Sequence, residues 1–329
     1  MCVNCIFKLS MMMDSEQFDD VFSQSYSGDA YLDEEDDEEL VDRTLISKGI
    51  VVLYRNSRYK KKIKLIVDAG MVIDGEDFNV DKFIRKLEKR IKKYFNPHYQ
   101  LDDFVLSGLT LISAIDVGGR EKVAAYLKVI RRIGRVKGFS PVVYDCFDKG
   151  TSYCLEGNSN GIEFLLYDAE QMILNQQGDA VEHSIQVKSL AQKHKGILRA
   201  EVRLTKHKAI RSYTNASSTT KQITELSNYR KDIFLDVFTR IIPFGDFHKK
   251  DKAAEIVRKA VPDYNMRRKM LRLLALIPEK KSLHLAQKAM NCRNIDKIME
   301  EFVKINLSPV TISKRQNIQH LLDFYEYLF

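Results

Sequence analysis

Two short runs carry side chains that could act on a phosphodiester. In GNSNGIEFLLYDAE (157–170), strand-like alternation sets Glu163, Leu165 and Tyr167 on one face, with Asp168 and Glu170 opening the next element. In GILRAEVRLTK (196–206), Leu198, Ala200, Val202 and Leu204 alternate with Arg199, Glu201, Arg203 and Thr205. A period of two turns the first set to a core and leaves the charged set on the open face. A tyrosine hydroxyl ionises near ~10 and is a poor nucleophile at neutral pH. A cation that offsets charge on its oxygen and on the attacked phosphate makes it useful. Carboxylates on the same face suit Mg²⁺ or Mn²⁺, and neighbouring arginines can grip a phosphate oxygen. The same residues would also make a salt-bridge ladder across a sheet with a tyrosine at a strand end.

Other chemistries lack their residues. The chain has no G-x-x-x-x-G-K-[ST], no G-x-G-x-x-G after a strand, no G-x-S-x-G and no H-E-x-x-H. The seven histidines show no spacing that clamps a metal. Cys2 and Cys5 form a C-x-x-C, but no second pair or histidine cluster stands near them, so a zinc site is not expected there. Five cysteines spread along the chain make no disulfide framework, which points to the reducing cytoplasm.

The elements that must position Tyr167 and Glu201 read as α+β. KGIVVLYR (48–55) and KKIKLIVDA (61–69) are strands joined by a polar turn at Asn56–Ser57. FNVDKFIRKLEKRIKKYF (78–95) is a helix. Its apolar stripe is Phe83, Leu87, Ile91 and Tyr94/Phe95, and Arg85, Lys86, Lys89, Arg90, Lys92 and Lys93 fill the remainder. A strand or a bent pair of strands follows at 104–116, a second basic amphipathic helix at 118–134, and strands near 139–146, 151–156 and 161–167. Strand–strand–helix material without regular βαβ spacing implies an antiparallel sheet with helices packed on one side. Beyond about residue 215 the pattern is helical, over 217–241, 250–260, 264–276, 281–291, 293–305 and 313–328. The pair around Asn291–Asn294 has helix-turn-helix-like spacing, followed by a basic loop with Lys314 and Arg315. Three regions are therefore expected: a disordered acidic segment over 1–42, an α+β domain over 43–214 and an all-α domain over 215–329. One of Met11, Met12 or Met13 is expected to be the real start, with the first ten residues a mis-called extension.

Charge divides the chain in the same way. The net charge is +8 overall, but residues 1–42 hold thirteen acidic side chains against the single Lys8. The body after residue 42 therefore carries +20, a field that calls for a polyanionic partner. The acidic segment could act as an arm that competes with nucleic acid for that body. No apolar run approaches the ~18 residues of a membrane span.

GIEFLLYDAEQMI, followed after about thirty residues by GILRAEVRLTKHKAIRSY, resembles the replication initiators of filamentous phages and related plasmids. These are rolling-circle initiators of the HUH-like nicking superfamily, and the likeness spans roughly 100–215. It implies a ferredoxin-like nicking domain, Tyr167 as nucleophile, and Leu198, Arg199, Glu201 and Arg203 in the place of an L-R-x-E-x-R pattern. It further implies Mg²⁺ or Mn²⁺ near Glu201 and Asp116, and origin DNA as partner, single- or double-stranded, together with host replication proteins. Such enzymes nick one strand, keep the 5′ phosphate on the tyrosine and leave a 3′-OH as primer. Departures from the pattern are specific. The family's [ST]-R-x-D is met only by Ser113-Ala114-Ile115-Asp116, which lacks the Arg, or by Ser107-Gly108-Leu109-Thr110, which lacks both. There is no His-hydrophobic-His triplet, and Ala169 replaces a lysine two residues past the tyrosine. Three readings stand: a nicking initiator, a non-catalytic DNA-binding relative, and an RNA-binding domain. The last would want aromatic residues interleaved on the open face.

Overall fold

In the computed structural model, residues 2–25, 39–57, 60–74, 77–95, 98–175 and 190–329 are described. Nine antiparallel strands form one sheet: β1 (Asn4–Met13), β2 (Glu39–Asp42), β3 (Ile50–Ser57), β4 (Lys60–Asp68), β5 (Val105–Asp116), β6 (Phe139–Val142), β7 (Ser152–Gly157), β8 (Ile162–Asp168) and β9 (Ile197–Leu204). Their order is β2-β3-β4-β1-β5-β9-β8-β7-β6, so β1 and β5 lie side by side in the middle. On either side of that pair the sheet is built alike. An opening strand gives way to a helix, α1 (Ser15–Ser25) or α4 (Arg120–Ile130), and the last strand of each half returns beside the first.

β1 overturns the reading of residues 1–42 as an unstructured segment. NCIFKLSMMM pairs with β4 on one side and β5 on the other, and buries Cys5, Phe7, Leu9 and Met11 on alternate positions. The first ten residues are therefore not dispensable to this sheet. The physical reason is a period of two that the acidic residues downstream do not interrupt. α1 adds Phe18 and Val21 to the core, and Glu39–Asp42 forms the edge strand; 26–38 lie outside the described residues.

The helices cover one face. After the short α2 (Ala69–Val72), α3 (Val80–Tyr94) buries Phe83, Ile84, Leu87 and Ile91, with Phe83 stacked 5.7 Å from Phe7. Asn79 caps it by accepting the Lys82 N–H at 2.9 Å. α4 supplies Tyr126. The sequence beyond residue 215 forms α7 (Thr219–Asn228), α8 (Arg230–Ile241), α9 (Lys250–Ala260), α10 (Tyr264–Lys280), α11 (Leu283–Met290) and α12 (Ile295–Lys304), after the short α5 (Ala169–Asn175) and α6 (His207–Arg211). The helix expected over 217–241 breaks at Tyr229, where the backbone leaves the helical region.

Residues 215–329 do not stand apart as an all-α domain. Phe238 of α8 packs edge-on against Phe164 of β8 at 5.8 Å, and both belong to one continuous core with Phe7 and Phe324. The segment read as a helix over 313–328 is mostly extended or irregular. It makes β11 (His320–Leu321), which pairs with β10 (Phe247–His248), and only Tyr325–Leu328 is helical, as α13. Its backbone is satisfied by non-local partners, including Ile312 N–H to His248 O at 2.9 Å. Among the described residues, no helix is long and apolar enough to cross a membrane.

Candidate functional site

The β8–β9 register sets Tyr167 opposite Arg199, Leu165 opposite Glu201 and Glu163 opposite Arg203. These side chains share the face turned away from α3 and α8, because Phe164, Leu166, Ala200 and Val202 take the other. Tyr167 reaches diagonally to Glu201, donating its hydroxyl proton to Oε1 at 2.5 Å. The second oxygen of Glu201 accepts the Nε–H of Arg203 at 2.9 Å, and Arg203 Nη2 lies 2.7 Å from the same oxygen as an ion pair. Arg199 stands 3.3 Å from Oε1 through Nε, yet the N–H is not aligned for a hydrogen bond and has no other partner. Glu163 accepts from the Tyr144 hydroxyl at 3.0 Å and lies 3.9 Å from Arg203. Tyrosine, carboxylate and two guanidinium groups thus meet at one point of the sheet.

That point is covered. The segment between β6 and β7 lays Phe147 on the Tyr167 ring, with centroids 4.8 Å apart, and Val142, Tyr144 and Met172 close the apolar rim. Tyr167 is 3% exposed and Glu201 4%. The open charged face expected from β9 alternation is therefore half roofed. Burial first, and then the Glu201 charge, push the Tyr167 hydroxyl well above its ordinary acidity range, while Arg199 and Arg203 pull the other way. Ionisation needs Glu201 to take the proton and the arginines to hold the resulting charge.

Asp116 does not join Glu201. β5 pairs Ile112 with Glu201 and Asp116 with Ile197, four residues further along, or about 13 Å at strand rise. Asp116 instead accepts the Gly118 N–H at 2.9 Å. Mg²⁺ needs about six oxygen donors in a tight octahedron. Here one buried carboxylate has both oxygens engaged, and two guanidinium groups beside it repel a cation. These residues do not fit a hard divalent ion. Ser113 faces the core at 1% exposure, and Ala114, where the resembled pattern has Arg, lies opposite Arg199 on the outer face.

The basic helix is on the other side of the sheet. Since Phe83 of α3 rests on Phe7, its basic residues crown the helical layer, away from Tyr167. Arg85, Lys89, Lys92 and Lys93 are exposed; Lys86 lies 3.4 Å from Asp74, and Arg90 donates to Lys48 O. Lys314 and Arg315 are separate again. Lys314 is 3.4 Å from Asp251 of α9, and Arg315 lines a cleft beside Glu121 and Lys128 of α4. The α11–α12 pair turns at Asn291 in the left-handed region and buries Leu283, Ala286, Met290, Ile298 and Phe302.

Residues not singled out in the sequence share the Tyr167 face. The registers put Lys8, Arg55, Lys62 and Lys64 there, on β1, β3 and β4. Lys64 pairs with Glu39 on the edge strand. The signal was the alternation in KKIKLIVD, where Lys62 and Lys64 interleave with Ile63 and Leu65. At the far end, Glu170 is held bidentately by Arg120 of α4, with Nε at 2.6 Å, and Asp168 caps α5 by accepting from Glu170 and Gln171 N–H. The Arg120 hydrogen bond keeps the Glu170 carboxyl below its usual range despite burial. Cys5 is buried in the core, which pushes its thiol up to about 12, while Cys2 is exposed, so the C-x-x-C gives no paired site.

No protein-family model and no curated protein matches this chain.

Proposed function

We propose that the chain is a replication initiator of a plasmid, phage or integrated element, binding origin DNA and cutting one strand through Tyr167. The observation that carries this reading is the Tyr167–Glu201 hydrogen bond between two arginines. Glu201 is placed to accept the hydroxyl proton, and Arg199, whose Nε–H has no hydrogen-bond partner, has a donor for a phosphate oxygen. The resemblance of 161–173 and 196–213 to rolling-circle initiators, and the +20 body, point the same way. An HUH-like nicking architecture, host replication proteins as further partners and a cytoplasmic location belong to this proposal. Attack requires the Phe147 segment to move aside, since a nucleophile must come within about 3–3.5 Å of the phosphorus. Mg²⁺ or Mn²⁺ stays outside the step: the donors at Glu201 do not suit it.

A second reading, a DNA-binding relative without cleavage, is favoured by a specific observation. Tyr167 is buried, and its base is already neutralised by Arg203. A nicking assay separates the two. Supercoiled DNA carrying the gene's flanking intergenic region is incubated with the protein, with and without Mg²⁺ or Mn²⁺. Open-circular product that disappears in Tyr167→Phe supports the initiator. Binding with no nick under any condition favours the non-catalytic reading.

A further inference from the structure

β10 and β11 pair at two positions only, and one of them sets His248 directly opposite His320. The two imidazoles stack with centroids 4.5 Å apart and planes 12° from parallel. Asp246, two residues before His248, lies 3.0 Å through Oδ2 from His320 Nε2. Its other oxygen accepts the Asp323 N–H at 2.8 Å, which orients the carboxylate and leaves Oδ2 toward the rings. One ligand atom from each of the three residues falls within 4.8 Å of the others.

We infer that Asp246, His248 and His320 form a binding site for a borderline divalent transition metal, with zinc the principal occupant and water completing the shell. Two imidazoles and one carboxylate suit Zn²⁺, Co²⁺ or Ni²⁺, not an all-oxygen ion such as Mg²⁺. Tetrahedral zinc with ligands near 2.0–2.1 Å sets donors about 3.3 Å apart. Asp246 and His320 already stand close to that, and the two edges to His248, each within 4.8 Å, close by movement of its ring. The His320 side chain is 41% exposed, so an ion can enter from solvent and keep open positions.

The site would fasten the end of the chain to its body. Residues just past His320 carry Phe324 and Tyr325 into the core, where Phe324 lies 4.6 Å from Tyr126 and the Tyr126 hydroxyl donates to Leu322 O at 2.9 Å. A metal bridging β10 and β11 therefore ties this segment to the loop after α8. Residue spacing does not reveal this pairing, because His248 and His320 are 72 residues apart. None of the three residues belongs to the Tyr167 site, so the inference stands or falls apart from the nicking proposal.

The test uses untagged full-length protein, stripped by chelator and titrated with Co²⁺, then Zn²⁺. Expected are saturable visible d–d bands at one equivalent, displaced by zinc, without a thiolate charge-transfer band. Zinc at one hundred times its Kd should raise the thermal midpoint by roughly 4 °C. His320→Ala and, as a milder variant, Asp246→Asn should lose both signals, while His284→Ala keeps them. Absence of a saturable signal would overturn the inference, as would a thiolate band or bands that survive both substitutions.

Discussion

Glu201 is the structural keystone of the Tyr167 cluster, and its removal tests the geometry without reference to DNA. Its carboxylate accepts one hydroxyl and one guanidinium N–H, with a second guanidinium nitrogen in ion-pair contact, while 4% exposed. A buried hydrogen bond to a charged group is worth ~1.5–3 kcal/mol. The Arg199 and Arg203 side chains are 38% and 30% exposed, so water recovers part of their loss and their share is discounted. Glu201→Gln keeps the shape but sets its amide N–H₂ against one of the donors. The expected cost is about 2–3 kcal/mol. Tyr167→Phe removes one hydroxyl and leaves Glu201 satisfied by Arg203, for about 1–2 kcal/mol. Because the two share a hydrogen bond, the double variant should fall short of the sum by about 1 kcal/mol. Urea unfolding followed by far-ultraviolet circular dichroism is the assay, since the chain has no tryptophan. A Glu201→Gln cost below about 0.5 kcal/mol, or strict additivity with Tyr167→Phe, would refute the reasoning.

Alkaline pH should unfold the protein cooperatively. Burial raises Tyr54 to about 12 and Tyr126, Tyr153, Tyr167 and Tyr325 further. Their folded pKa values exceed the unfolded value near ~10, so stability is intact below that pH and is lost as pH rises above it. Tyrosinate absorbance and circular dichroism should change together for this group; fifteen tyrosines titrating smoothly with the fold intact would contradict it. Gly245→Ala should cost about 2–4 kcal/mol, because its φ is +98° and a Cβ would lie 2.5 Å from the Leu307 carbonyl carbon; an unchanged urea midpoint would count against the docking of 244–249 on 306–308. If DNA lies on the Tyr167 face, Lys62→Glu with Lys64→Glu should weaken binding and flatten its salt dependence, by ~0.9 in slope per lost phosphate contact. Arg85→Glu with Lys89→Glu on the opposite side should act less; the reverse ranking would move the DNA to the helical layer. Neutralising the acidic residues of 26–38 should tighten nonspecific binding if they compete with DNA, and identical salt titrations would dispose of that competition.

Much of the fold was legible because its signals are local. Phe83, Leu87 and Ile91 mark α3 by their spacing, and Leu198 through Leu204 mark β9 by alternation. The same alternation in Cys5, Phe7, Leu9 and Met11 was outweighed by the acidic residues that follow, so a central strand was read as part of a tail. The end of the chain misled for the opposite reason. Leu321, Phe324, Tyr325 and Leu328 are apolar enough for a helix, but their backbone partners, such as Asp246 for Asp323, lie far away in sequence. At the site, residue types gave Tyr167, Glu201, Arg199 and Arg203 together. Strand register alone decides that Asp116 is distant and that α3 faces away, and no periodicity encodes the roof formed by Phe147.

The most direct test of strand cleavage is to trap the product on the protein. Denaturing electrophoresis and peptide mass spectrometry after reaction with origin DNA should find a 5′-phosphate linked to the peptide that contains Tyr167, absent in Tyr167→Phe. An adduct on another residue, or none from protein that binds the same DNA, would contradict the assignment of Tyr167 as the nucleophile.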